Sequence, residues 1–326
     1  MKKWFLAASA GLMGVLGTVG AGAGSYTVSS CTTITQDAFL ATDIVATISP
    51  CITFGADNVT LHMSSHTIDV RPLGNAGIAI HSNGRSNVKI HGARLGNTNF
   101  GAGFVLAEFT APAPNSNAVL IQGGSNVTVE RLHVWNTLPD FPGGAVPFEQ
   151  RGGSGIVIAG ANEAAVRSVF VGAFARGIVV VDSHSSPRAS EISRSGVDSA
   201  AALNETSFGI LLHRSSGWNV SRTTVTGSGK IGLTESGIGL VQAYNNTIAT
   251  NEPDGNAGPG ISAQLSGGNT ITHNLARSSA SPDLVDIDPV APNSWTEDNV
   301  CEDEAGAVPP SVCNPGEARW GPAPAP

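Results

Sequence analysis

The sequence predicts an all-β chain, a single-stranded right-handed parallel β-helix. Three observations carry this: a glycine-led apolar segment that recurs, an asparagine-led β-branched segment interleaved with it, and a composition rich in glycine and poor in charge. The glycine copies are Gly77-Ile-Ala-Ile80, Gly103-Phe-Val-Leu106, Gly155-Ile-Val-Ile158, Gly177-Ile-Val-Val180, Gly209-Ile-Leu-Leu212, Gly237-Ile-Gly-Leu240 and Gly260-Ile-Ser-Ala263. Successive glycines are 26, 52, 22, 32, 28 and 23 residues apart. The gap of 52 reads as two turns, one of which lacks its glycine. The second segment reads Asn58-Val-Thr-Leu61, Asn87-Val-Lys-Ile90, Asn126-Val-Thr-Val129, Asn219-Val-Ser221, Asn246-Thr-Ile248 and Asn269-Thr-Ile271.

Two short β-branched strands per repeat, always in the same order and direction, exclude both a helical repeat and a hairpin array. They fit a solenoid in which each strand pairs with its equivalent one coil away, at about 4.8 Å. Alternation then points Ile78, Ile80, Val88, Ile90, Val127 and Val129 inward, and Lys89, His91, Thr128 and Glu130 outward. Glycine and asparagine are expected at the corners, where they tolerate positive φ, and equivalent asparagines are expected to stack into amide ladders. Triplets such as Asn126-Val-Thr128 are therefore read as corners rather than glycan sites. With 41% hydrophobic and 13% charged residues, the 326-residue chain has the means to bury a core and is not disordered.

The ends suggest export. Lys2 and Lys3 precede the uncharged apolar stretch Trp4–Val19, and Ala21-Gly22-Ala23 gives a small-x-small cleavage pattern. The expected organisation is a signal peptide over 1–23, the β-helix over 24–313 and a disordered Pro/Ala tail over 314–326, in a secreted or cell-surface monomer with no membrane span. Without Lys2 and Lys3, 15 basic residues face 25 acidic ones, which disfavours nucleic acid and anionic membrane as partners. Four cysteines allow three pairings. An oxidising compartment and short separations favour Cys31 with Cys51 and Cys301 with Cys313, stapling the two ends.

The segment from Gly55-Ala-Asp-Asn58 through His66-Thr-Ile68, followed by Gly77-Ile-Ala-Ile80 and Ser86-Asn-Val-Lys-Ile90, resembles the opening of secreted β-helix proteins of the pectin-lyase-like superfamily. So does Cys31-Thr-Thr-Ile-Thr35 with Cys51. Asn246-Thr-Ile-Ala-Thr-Asn251, Asn269-Thr-Ile-Thr-His-Asn274 and Asn293-Ser-Trp295-Thr-Glu-Asp-Asn299 are similar to that family's coil repeat. The resemblance implies the fold and a carbohydrate-related role, since the superfamily includes polysaccharide lyases, hydrolases and epimerases alongside non-catalytic members. Its usual catalytic patterns are missing: no paired aspartates with Gly-His-Gly, no Arg-x-Pro-x-x-Arg, no Asp-Pro-His-Asp.

Ionisable residues concentrate in the middle coils. Asp182, His184, His213 and Arg214 are the candidate catalytic set, because a lyase or epimerase needs a base beside a carboxylate-bearing carbon and a cation for the developing charge. Arg188, Glu205 and Lys230 are candidate substrate contacts. Trp135, Phe141 and Phe148, in and beside the Pro-rich insertion 136–155, are candidate sugar platforms. No metal site is assigned. Calcium is the one candidate cofactor, through Asp283, Asp286 and Asp288, with Asp286 and Asp288 expected on one strand face. Two functions stay open: a polysaccharide-binding or polysaccharide-modifying protein, and a non-catalytic structural solenoid.

Overall fold

The computed structural model describes residues 26–93, 103–110, 115–137, 152–187, 189–198, 206–229, 234–277 and 279–313. The expected signal peptide and tail, and the insertion bearing Phe141 and Phe148, lie outside them. The chain winds into a right-handed parallel β-helix with three long sheets, here A, B and C, of eleven, eleven and eight strands among the described residues. Every strand pairing is parallel and joins equivalent strands of adjacent coils. In sheet B, Ile156, Ile178, Ile210, Ile238 and Ile261 are in register. In sheet A, Val129 lies between Ile90 and Val166. These side chains are almost fully buried and, with Val134, Val171 and Val197 of sheet C, form one continuous core. Fully burying a side chain of this kind contributes roughly 1.5–3 kcal/mol.

The repeat is real, but its register differs from the sequence reading. Gly155, Gly177, Gly209, Gly237 and Gly260 are equivalent. Gly103 instead opens Gly103–Ala107 in sheet C and pairs with Leu132. Gly77 is two residues out of phase, because Ile80 aligns with Val119 and so with Ile156. Ile78 is consequently only half-buried rather than in the core. The strand glycines do not turn corners and have no positive φ. They are needed for close approach: a Cβ on Gly177 would sit 2.3 Å from Val197 Cγ1 and 2.5 Å from the Gly209 carbonyl oxygen.

Asparagine ladders form in three places. Asn126 donates to Asn87, and Asn87 to Asn58, at 2.9 and 3.0 Å on the surface. Asn246, Asn269 and Asn293 form a second ladder, and Asn251, Asn274 and Asn299 a third. Asn246 follows the left-handed corner residue Asn245 and faces the core. This corrects its assignment to the same column as Asn58. Asn219 departs differently: it aligns with Glu191 on the outer face of sheet A. Both expected disulfides are present, Cys31–Cys51 and Cys301–Cys313, with Cα–Cα distances of 4.4 and 4.8 Å. No helix among the described residues is long and apolar enough to cross a membrane.

Candidate functional site

Sheet A presents its outward residues to solvent in columns. One column runs Phe39, His62, His91, Glu130, Arg167, Ser193, Ser221, Ala249, Thr272. The next residue of each strand turns the corner towards sheet C. On successive coils that corner holds Arg131, Ser168, Arg194, Arg222, Thr250 and His273, all with φ between 51° and 56°. From Glu130 to Thr272 the outward column, the corner residues Arg131 to Thr250 and the neighbouring outward column Glu191, Asn219 and Thr247 bound an open groove of about 690 Å³.

Four arginines line the groove, one per coil: Arg131, Arg167, Arg194 and Arg222. Arg167 is paired through Nε with Glu191. Arg131, Arg194 and Arg222 have no carboxylate partner among the described residues. Glu130, at the N-terminal head of the groove, is already satisfied by Lys89 Nζ and His91 Nδ1, each 2.6 Å from Oε1. Burial alone would raise the Glu130 carboxyl, but the hydrogen bonds from Lys89 and His91 outweigh it and hold the group below its ordinary range. The groove is thus a strip of positive charge on a protein whose formal net charge is −8.

Three arginines in left-handed backbone are informative. An L-residue there carries a penalty of roughly 1–2 kcal/mol, and glycine and asparagine are the usual occupants. At Arg194 and Arg222 the turn is fastened from inside, whereas Arg131 is followed by the apolar Leu132. Ser195 and Thr223, directly after Arg194 and Arg222, donate their hydroxyls to the Ser193 and Ser221 carbonyls. Thr223 N–H also donates to buried Asn251.

The sequence-derived set lies elsewhere, on the corner between sheets B and A. Arg214 Nη2 is 2.7 Å from Asp182 Oδ2 on the adjacent coil, with both side chains about half exposed (52% and 53%). His213 ends the strand before Arg214. Burial lowers its pKa, Arg214 adds to the effect, and Asp182 and a hydrogen bond with Gln242 oppose it. The structure brings these three together. His184 instead has its Nδ1 3.1 Å from Ser216 Oγ. Trp135 lies on sheet C, stacked on Phe170 at 5.2 Å and pressed over Gly172. Arg188, Glu205, Lys230, Phe141 and Phe148 are outside the described residues.

The aspartates proposed for calcium do not share a face. Asp286 points into the core and accepts from Trp295 Nε1 at 2.9 Å and Asn293 Nδ2 at 3.1 Å. Asp288 turns the sheet B corner with φ 47°. Asp283 is buried and accepts from the Glu302 N–H at 2.7 Å. The described residues contain no group of three or more His, Cys, Asp or Glu arranged to hold a metal ion.

The model of the right handed beta helix region family matches residues 117–285, just over half of the chain. The chain belongs to that family. No curated protein matches this β-helix chain in sequence. Among solved structures, the chain is similar to the Dettilon tailspike protein, at 11% identity and TM-score 0.38 over 67% of this chain. It spans about half of that protein's length, 48%. It is also similar to the DFA-IIIase of Arthrobacter chlorophenolicus A6 without its lid, at 11% identity and TM-score 0.39 over 74% of this chain and 83% of that one. A third likeness is to the A-module of a mannuronan C-5 epimerase from Azotobacter vinelandii, at 13% identity and TM-score 0.32 over 84% of this chain and 91% of that one.

Arg131, Arg194 and Arg222 were not among the residues picked from the sequence. A signal was present: Val129-Glu-Arg131, Ile192-Ser-Arg194 and Val220-Ser-Arg222 repeat apolar-polar-arginine, and the last two arginines are one coil, 28 residues, apart. In sheet A the outward strand residues Glu130 and Arg167 are marked by alternation, whereas the corner residue that follows each strand is not.

Proposed function

We propose that this chain is a secreted β-helix protein that binds an extracellular anionic polysaccharide along the outer face of sheet A. The observation that carries the reading is the row Arg131, Arg194 and Arg222: cations with no carboxylate partner among the described residues, in one groove, at backbone positions that ordinarily select glycine or asparagine. Coils repeat at about 4.8 Å, close to the length of one sugar ring in an extended chain. A polymer lying along the helix axis therefore offers an acid group near each guanidinium. Arginine suits this role because its planar fork binds carboxylate or sulfate in bidentate fashion. A cationic groove on an acidic protein concentrates charge where an anionic chain docks. Secretion is supported by the Lys2-Lys3 apolar leader and by two disulfides, which persist in oxidising compartments. The Asp182–Arg214 corner is the weaker candidate, because its two charges already satisfy each other.

Titration calorimetry against a polyuronate, a sulfated glycan and a neutral glucan tests the reading. The acidic polymers are expected to bind, with affinity falling as salt rises, and the neutral one to bind far more weakly. Arg194→Gln and Arg222→Gln are each expected to weaken binding roughly tenfold or more. Equal affinity for the neutral polymer, or unchanged affinity in the double variant, rejects it.

A further inference from the structure

Arg194 and Arg222 are set apart from the other arginines of the groove. They hold the same corner position on adjacent coils. Arg194 N–H donates at 3.2 Å to the carbonyl of Ser221, the residue before Arg222, and Arg222 N–H donates at 3.1 Å to the Thr250 carbonyl. Their φ angles are 51° and 53°, so both Cα–Cβ bonds leave the turn in the same direction, one coil or about 4.8 Å apart. Arg131 lies two coils before Arg194, with Ser168 in the place between. Two guanidinium groups side by side repel each other. The surroundings supply no acid to offset this. Glu191, three residues before Arg194, is paired with Arg167, and no carboxylate among the described residues pairs with Arg194 or Arg222. Ser193, Ser221, Asn219, Thr247 and Thr250 share this part of the groove, and their side chains are uncharged groups able to donate.

We propose that Arg194 and Arg222 together form a subsite for one phosphate monoester, so that the polysaccharide this groove favours is a phosphorylated one, with Arg131 taking a second acid group farther along the chain. This rests on the reading of the groove as an anionic polysaccharide site. The demand of the arginine pair separates the acids. A carboxylate carries one charge and two oxygens, which a single planar fork satisfies. A sulfate ester has three free oxygens but again one charge. A phosphate monoester carries about −1.5 to −2 at pH 7 and presents three strong acceptor oxygens. It accepts from two guanidinium groups at once, and its charge offsets both. Arg131, roughly 10 Å from Arg194 along the axis, is a single fork and matches a single charge.

The test uses the full chain and three ligands built on one neutral polymer: dextran phosphate, dextran sulfate and carboxymethyl dextran, substituted to equal total charge, with polygalacturonate alongside. Calorimetry at fixed salt is expected to show dextran phosphate bound roughly tenfold or more tightly than the other two derivatives. Arg194→Gln and Arg222→Gln are each expected to abolish that preference. Arg131→Gln is expected to weaken all three derivatives and to keep it. Affinity for dextran phosphate is also expected to rise from pH 5 to 7.5, across the second ionisation of the ester at about pH 6. The residues lining the groove include no histidine, so affinity for dextran sulfate is expected to stay level over the same range. Equal wild-type affinity for the three derivatives, or a phosphate preference that survives in both variants, overturns the phosphate subsite and leaves the anionic reading standing. Absence of binding to the derivatives and to polygalacturonate overturns both. If the variants do not fold, the wild-type pH profile decides, and an affinity for dextran phosphate that is flat from pH 5 to 7.5 overturns the assignment.

Discussion

The strands of sheet A are entered and left by turns of the same backbone shape but of different chemistry. On entry, left-handed positions are held by Asn58, Asn87, Asn126, Glu163, Gly217, Asn245 and Gly268. On exit, they are held by Arg131, Ser168, Arg194, Arg222, Thr250 and His273, none of them glycine or asparagine. The entry turns of the first coils are tied at the surface, through Asn58, Asn87 and Asn126, with Val59, Val88 and Val127 behind them in the core. The exit turns from Arg194 onward are tied from within, by Ser195, Thr223, Asn251, Asn274 and Asn299. Moving the fastening indoors frees the outer residue of each turn for another use. Where that freedom is taken up with arginine, the backbone strain marks a site.

The comparison is broken most severely by removing an interior fastener. Asn274 is fully buried and its side chain makes four hydrogen bonds: it accepts from Asn251 N–H and Nδ2, and donates to the Ile248 carbonyl and Asn299 Oδ1. Asn274→Ala leaves several of these groups buried without partners, and each such group costs about 1–3 kcal/mol. A loss of roughly 3 kcal/mol or more is expected in chemical denaturation. Asn87, an exterior fastener, is expected to accept Asn87→Gly within about 1 kcal/mol, because glycine keeps the left-handed turn at a modest entropic cost. Equal losses in the two variants would remove the distinction between turns tied inside and turns tied outside.

A smaller effect of opposite sign is expected at the arginines. Replacing Arg222 by glycine relieves a strain of roughly 1–2 kcal/mol and adds glycine's backbone entropy cost of about 0.5–1 kcal/mol. The Arg222→Gly protein is therefore expected to be more stable by about 0.5 kcal/mol and to bind the anionic polymer more weakly. Thermal unfolding and calorimetry on one preparation give both numbers. A variant that is less stable and binds as tightly would show that Arg222 is there for the fold and not for a ligand.

Much of the fold was legible because hydrophobic period and short-range order are written locally. The inward Ile156, Ile178 and Ile210, the two disulfides and the asparagine ladders all follow from residues within one coil of each other. Register was harder. The coils from Ile80 to Val119 and from Val119 to Ile156 are 39 and 37 residues long, against 28 before them and 22 after, and the sequence marks their starts only weakly. Gly77 and Gly103 matched the motif by composition while lying on other positions. The groove was illegible for a related reason: Arg131, Arg194 and Arg222 become a row only once register is known to the residue, and an overall excess of acid argued against an anionic partner. Net charge describes the whole surface, whereas recognition depends on the strip of it that a ligand meets.

The smallest effect concerns acid. Glu130 has a folded pKa below its ordinary 4.5, so its ion pair with Lys89 and its hydrogen bond from His91 stabilise the protein above that value. That contribution is lost as pH falls below 4.5 through the folded pKa, because the folded state then takes up the proton later than the unfolded one. Asp283 runs the other way: burial first, then Asp303 and Glu302, raise it above its ordinary 3.8, so the folded state binds the proton earlier and gains stability as pH falls towards 3.8. The groove head and the C-terminal coil thus respond to acid with opposite signs. Unfolding measured from pH 7 to pH 3 is expected to show Glu130→Gln less stable than wild type at neutral pH, with the gap closing below pH 4.5. Asp283→Asn is expected to show its stability advantage over wild type at neutral pH and to lose it as pH falls. A gap for Glu130→Gln that is constant across the range would mean that the carboxylate charge contributes nothing at the head of the groove, and that Lys89 and His91 are held there by packing alone.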